Sequence, residues 1–238
     1  MKFPKQKYYG VFIRRDSRFS ATVKIGHRLE YVFVPNSGRM RELLKLGNEV
    51  LLTKSNTPNR KTKLDLILVK YNNQWISVDS RVPNKFFKEL FKKKLLKPFL
   101  EFKSAKPEVK FGKSRFDFLL SKKKTPESEE LSCKYLLEVK SVTLVNGKTA
   151  MFPDAPTERG TRHLQHLIKA KKQGYQAGIL FLVQRNDAQN FGPNDAHDPA
   201  FGKTLRKALK AGVDIFAYTC QVHENQISLG RAIPIHLS

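Results

Sequence analysis

Hydrophobic and polar positions alternate in short bursts over residues 8–79, with turn residues between the bursts. Val11-Phe12-Ile13, Phe19–Ile25 and Leu29–Val34 form a first group of expected strands, with Gly26-His27 as a hairpin turn. Val50–Thr53, Leu64–Lys70 and Trp75–Val78 form a second group, and a short helical piece is expected at Arg39–Leu46. A period of two buries one face of each strand. Three strands, a short helix and further strands is the order of a small Greek-key barrel of the OB type.

The period lengthens at Asn84–Leu96, where Phe87, Leu90, Phe91 and Leu95 fall on one helical face and Asn84 is placed as the cap. Pro98 closes this connector helix (about 84–97). Beyond residue 106, strands are expected at Glu108–Phe111, Arg115–Leu120 and Tyr135–Leu144, the last two separated by the polar stretch Lys122–Lys134. A helix over Glu158–Lys172, capped by Thr157 and stopped by Gly174, leads to the fully apolar strand Ala177–Val183. A second helix is expected at Lys203–Lys210 and a final strand at Val213–Tyr218, with Phe191–Pro199 as a loop. This order predicts a mixed sheet with helices on its faces. The chain thus reads as two domains of α+β and α/β character, an OB-like β-barrel over 1–82 and a mixed sheet flanked by helices over 83–238.

Charge adds a partner to this picture. The 238 residues carry 45 Lys and Arg against 21 Asp and Glu, a net charge of +24. Such a surplus repels itself, and a polyanion relieves it as condensed counterions are released. Residues 1–105 hold 24 basic and 8 acidic side chains, net +16, and residues 106–238 hold 21 and 13, net +8. A nucleic acid is the expected partner, and charge alone names neither DNA, single- or double-stranded, nor RNA. An acidic membrane surface would need a lipidation motif, which is not present, or a strong interfacial helix. Asn84–Leu96, which a membrane-surface helix could resemble, has the commoner meaning of a connector packed on a core. The basic opening Met1–Arg15 has no apolar core behind it, no run reaches the length of a membrane span, and Cys133 and Cys220 have neither metal-ligand spacing nor a disulfide framework. A cytoplasmic location follows as the expectation.

The candidate chemistry sits in the second half. Asp117 lies on one expected strand and Glu138-Val139-Lys140 on another. Alternation turns Glu138 and Lys140 to one face, and Asp117 reaches the same patch if the strands are neighbours. Two carboxylates that close resist joint ionisation unless a cation stands between them. A hard divalent ion such as Mg²⁺, or Mn²⁺, takes one or two carboxylates with water and phosphate oxygens. Lys140 beside it would steady charge on an attacking or leaving oxygen, and metal-assisted hydrolysis of a phosphodiester is the reaction implied. Spacing alone leaves an exposed cross-strand ion-pair face equally open. Glu108-Val109-Lys110 repeats the tripeptide. The later copy is favoured because it is embedded in an apolar strand and has Asp117 upstream.

A second polar cluster, Phe152–Gly160, leads into Arg159, Arg162, His163, Gln165 and His166. Arg159, His163 and His166 share a helical face, where arginine, histidine and the helix N-terminus would favour phosphate; Asp154 and Thr157 are otherwise turn and cap residues. In the barrel, Tyr8, Tyr9, Phe12, Phe19, Tyr31 and Phe33 are interleaved with Arg14, Arg15, Arg18, Lys24 and Arg28. Bases stack on aromatics in basic OB grooves, although half or more of these rings must fill the barrel. Arg39 follows the turn Asn36-Ser37-Gly38, and Arg115 precedes Asp117 by two residues.

The runs Pro35-Asn36-Ser37-Gly38-Arg39-Met40, Ser114–Leu119, Glu138–Leu144 and Phe152–Gly160, in this order, resemble the sugar fermentation stimulation protein A family of bacteria and archaea. The resemblance covers nearly the whole chain. It implies an N-terminal OB-like domain, a C-terminal domain similar to the PD-(D/E)XK nucleases, DNA binding without sequence preference, and a regulatory link to maltose metabolism. It implies Asp117 and Glu138 as metal ligands, the Val139 backbone carbonyl beside them, Lys140 as the catalytic lysine, and Glu108 as a further acidic candidate. Two functions stand: a metal-dependent DNA nuclease, and a non-cleaving DNA-binding regulator on a nuclease-like scaffold.

Overall fold

A computed structural model of the chain describes residues 1–55, 57, 59–123 and 130–237. Six strands open it: β1 (Lys7–Ser17), β2 (Ser20–Ile25), β3 (Arg28–Phe33), β4 (Glu49–Lys54), β5 (Leu64–Tyr71) and β6 (Gln74–Ser77). They lie in the order β3-β2-β1-β4-β5-β6, and a parallel contact of Phe33 with Asp65 joins β3 to β5, closing five of them into a barrel. Phe12, Val23, Val32, Leu52 and Leu66 fill it. The expected helix at Arg39–Leu46 is a single turn, in which the Leu43 and Leu44 N–H groups both donate to the Met40 carbonyl. Met40 at φ +48° and Gly47 at φ +90° bound it, and neither conformation continues a helix.

Helix α1 (Val82–Lys92) leads into β7 (Ser104–Phe111), β8 (Ser114–Ser121) and β9 (Lys134–Val142). A hairpin of β10 (Val145–Asn146) and β11 (Thr149–Phe152) precedes α2 (Glu158–Lys172). Then come β12 (Gln176–Val183), β13 (Asn190–Pro193), α3 (Pro199–Lys210), β14 (Asp214–His223) and β15 (Gln226–Ala232). The main sheet runs β15-β14-β12-β9-β8-β7, parallel across its centre and antiparallel at both edges. Thr157 caps α2 by accepting the Gly160 N–H, and Gly174 at φ +94° ends it, as its sequence predicts. Part of the Phe191–Pro199 stretch is a strand instead of a loop: β13 pairs in parallel with β11 and buries Phe191.

The two halves share a core. Phe86, Phe87 and Leu90 of α1 pack with Leu51, Ile67 and Leu68 of the barrel and with Phe118, Leu137 and Leu180 of the sheet. Gln184 is buried between them, donating to the Asp79 carbonyl and the Ser141 hydroxyl and accepting from the Ser77 hydroxyl. Met1 and Phe3, grouped with the barrel in sequence, bond the backbone of Ile227 and Asn225 in the second half. The basic surplus is likewise shared. Residues 81–105 carry 8 basic and 2 acidic side chains and belong to α1 and the turn after it, so residues 1–80 hold net +10.

Candidate active site and basic surfaces

Strands β8 and β9 pair from Ser121 with Lys134 to Phe118 with Leu137, and then part. At the parting, the Asp117 carboxylate takes the place of a strand carbonyl: its Oδ2 accepts the Val139 N–H at 2.8 Å. Its Oδ1 accepts from the Asn84 amide at 2.6 Å. Asn84 stands in the first turn of α1, where the helix dipole also favours a carboxylate.

Glu138 and Lys140 point to one face of β9. Glu138 is 2 % exposed, and its Oε1 accepts from both Lys140 Nζ and His163 Nδ1, each at 2.5 Å. A carboxylate only accepts, so His163 carries its proton on Nδ1. The second oxygen, Oε2, is equally buried and has no hydrogen-bond partner among the described residues. A charged oxygen buried bare is costly, and a cation removes that cost.

The two carboxylates are driven in opposite directions. Burial, then the nearby Glu138 charge, pushes Asp117 up to about 6. Burial also pushes on Glu138, but Lys140 and His163 outweigh it and hold Glu138 below the ordinary carboxylate value. Among the described residues no group of three or more His, Cys, Asp and Glu gathers as a metal centre. Two carboxylates with one orphaned oxygen, on parted strands, nevertheless fit an ion that takes water and phosphate as its remaining ligands.

Asp117, Glu138, Val139 and Lys140 therefore come together. Glu108 does not join them: at φ +56° its exposed side chain turns to Arg115, 3.4 Å away. His163, expected at a nucleic-acid surface, is 4 % exposed and faces Glu138, because it lies on the stripe of α2 that packs against the sheet. Arg159 and Arg162 of the same helix are both exposed to solvent. Arg15, also expected to contact nucleic acid, donates to five backbone carbonyls, those of Ser17, Arg18, Asn36, Gly38 and Arg39. Arg14 is paired with Asp16, while Arg18 and Arg39 reach solvent. Of the interleaved aromatics, Phe12 fills the barrel and Tyr9, Phe19 and Tyr31 are open to solvent. Asn84 was hidden by its reading as a cap; Val82-Pro83 starts the helix two residues earlier, a position at which proline is favoured, and that signal frees Asn84 for Asp117.

A closed OB-type barrel packed on a mixed sheet that carries Asp117, Glu138 and Lys140 on adjoining strands defines a two-part fold. Sequence profiles described as "SfsA N-terminal OB domain" and "Sugar fermentation stimulation protein RE domain" match residues 13–78 and 81–226. The chain belongs to the sugar fermentation stimulation protein family. It is 47% identical over 240 residues to the sugar fermentation stimulation protein homolog of Clostridium botulinum (strain Loch Maree / Type A3), covering 100% of both chains. The homolog of Clostridium perfringens (strain 13 / Type A) is 45% identical over 237 residues, again with 100% of both covered. Among solved structures, that of Pyrococcus furiosus SfsA in complex with Ca²⁺ superposes with a TM-score of 0.88 at 28% identity, covering 99% of this chain and 98% of that one. No helix among the described residues is long and apolar enough to cross a membrane.

Proposed function

We propose that this chain binds DNA without sequence preference and hydrolyses its phosphodiester backbone with a divalent metal ion, Mg²⁺ or Mn²⁺. The observation that carries the reading is the bare, buried Oε2 of Glu138 beside Asp117 and Lys140. The arrangement of Asp117, Glu138 and Lys140 on adjoining strands resembles the PD-(D/E)XK nucleases. The Pyrococcus relative, solved in complex with Ca²⁺, supports an oxygen-ligated divalent ion in this fold.

Asp117, Glu138 and the Val139 carbonyl are the ligands in this reading. In a strand the N–H and C=O of one residue face the same side, so the Val139 carbonyl faces the gap into which its N–H already points. Bound there, the ion supplies Lewis acidity and an activated water. His163 fixes Glu138 so that Oε2 stays clear. Lys140, anchored on Glu138, offsets charge on the attacking or leaving oxygen. Arg14, Arg18, Arg39, Arg115, Arg159 and Arg162 offer solvent-facing cations for the DNA backbone, and a cytoplasmic nucleic acid is the partner that fits.

The test is incubation of the purified protein with single- and double-stranded DNA and RNA in Mg²⁺, Mn²⁺ or chelator, beside Lys140→Ala and Asp117→Asn. Metal-dependent cleavage, reduced on the order of 100-fold or more in both variants, is expected. Cleavage that persists in both variants overturns the assignment. Salt-dependent binding with no cleavage in any metal would replace it with a non-cleaving DNA-binding regulator.

A further inference from the structure

Away from Asp117, a cleft of about 710 Å³ opens on the seam between the barrel and the segment after β11. Arg18, Ser37, Arg39 and Arg41 line it from the barrel, and Ala155 and Pro156 from the second half. Its first lip is the tip of the β1–β2 hairpin. Ser17 pairs with Ser20, leaving Arg18-Phe19 as a two-residue turn, a place where glycine and asparagine usually stand. Phe19 is nonetheless 44 % exposed, stacked on Phe33 at 6.3 Å between centroids, with the Arg18 guanidinium 6.0 Å from its ring. Nothing in the core requires an exposed ring there.

The second lip, Asn36–Met40, is held from every side. Asn36 donates to the Val78 carbonyl at 2.9 Å and accepts the Gly38 N–H at 2.8 Å. Asp154 Oδ2 accepts the Met40 N–H at 2.6 Å, and Met40 keeps its left-handed φ of +48°. Gly38 has no space for a side chain, since a Cβ would lie 2.8 Å from Asp154 Oδ2. Arg15 ties the lips together, donating to Ser17 and Arg18 on one and to Asn36, Gly38 and Arg39 on the other. Strained backbone fixed this thoroughly in a surface loop marks a site whose shape matters.

Arg18, Arg39 and Arg41 reach solvent on the cleft, and none has a carboxylate within 4.0 Å among the described residues. Asp16, which also lines it, is engaged by Arg14 and Thr22. Three cations line the recess, and the exposed Phe19 ring adjoins one of them, Arg18; together they match a phosphodiester with an unpaired base.

We propose that this cleft binds a single strand of nucleic acid, with phosphates on Arg18, Arg39 and Arg41 and a base stacked on Phe19. Arg15 is a positioning residue that sets the two lips. The inference rests on the nucleic-acid-binding reading above and names the strand form and its track. The cleft is of the size that encloses one small-molecule-sized group, so it accepts one or two nucleotides. A duplex is too broad to enter it and has no free base for Phe19.

The experiment is fluorescence anisotropy in chelator, with a labelled single-stranded oligonucleotide and its duplex titrated against the full chain. The proteins are the wild type, Phe19→Ala and the double variant Arg39→Ala with Arg41→Ala, all surface positions, with folding checked by circular dichroism. The wild type is expected to prefer the single strand by about 10-fold or more. Phe19→Ala should weaken that binding roughly 10-fold and leave the duplex within about twofold. The double variant should lower the slope of log affinity against log salt by about 1.4 for the single strand. Equal wild-type affinity for both forms, or single-strand binding unchanged in the variants, overturns the inference. Displacement of the strand by a mononucleotide at similar concentration overturns it too, in favour of a nucleotide pocket. Metal-dependent cleavage by the same wild-type protein keeps the two readings apart. Cleavage without single-strand preference sinks only the cleft, whereas absence of all nucleic-acid binding sinks the proposed function as well.

Discussion

Replacing Asp117 by asparagine should stabilise the metal-free protein at alkaline pH and leave it unchanged in acid. Burial and the Glu138 charge raise the Asp117 pKa from 3.8 to about 6. Below pH 3.8 the group is neutral in both the folded and unfolded chain. Between 3.8 and about 6 the folded state keeps a proton that the unfolded state has lost, so stability falls as pH rises through this window. Above it the cost is complete. A shift of about two pKa units corresponds to about 3 kcal/mol, and partial access to water reduces this to about 2 kcal/mol. The substituted amide carries no charge, keeps an acceptor for the Val139 N–H, and meets the Asn84 amide if that amide turns over. Thermal unfolding in chelator should show equal midpoints at about pH 3, and a variant about 4–8 °C more stable at about pH 8. Added Ca²⁺ or Mg²⁺ should then raise the wild type at this alkaline pH and leave the variant near its metal-free value. A difference that is flat with pH, or a variant weaker than wild type in alkali, refutes the reasoning.

His163→Ala should lower affinity for Ca²⁺ roughly 10- to 100-fold in a calorimetric titration, because it removes the group that orients Glu138; affinity within about twofold of wild type would deny it that role. Gly178→Ala places a Cβ 2.0 Å from the Tyr135 hydroxyl, which is held by Asp214, and 3.0 Å from the Asp214 carbonyl. Urea unfolding should register a loss of about 1–3 kcal/mol or more. Duplex DNA binding should weaken steeply between low and moderate salt, and a flat titration would remove the electrostatic case for a polyanion.

The alternation of residues 8–79 and the apolar run Ala177–Val183 made both sheets legible, because burial of one or both strand faces writes itself directly into residue type. The difference in burial between the two Glu-x-Lys copies was legible for the same reason. Glu138 is enclosed by the strands on either side, while Glu108 sits at an edge and faces water. Features that depend on distant partners were not legible. Nothing local to Arg39–Leu46 reveals that Asp154 claims the Met40 N–H, and nothing local to Arg15 reveals five carbonyls around it. Asn84 and His163 carry the same lesson: a polar residue near a helix start or on a helix stripe acquires its meaning from the strand it meets. The division of charge misled because the basic α1 counts with the barrel in sequence but packs between the two halves, against both.

The parting of β8 from β9 has a consequence for the core itself. Glu138 faces its neighbours because Phe118 is opposite Leu137. Slipping that pairing by one residue would turn Glu138 and Lys140 to the opposite face and bring Val139 to their place. The large apolar side chains that lock the register are therefore part of how the site is specified, although they lie out of reach of any substrate. Phe118 and Leu137 act as a ruler: wear on the ruler would be read first as lost metal affinity, in a protein that still melts cooperatively.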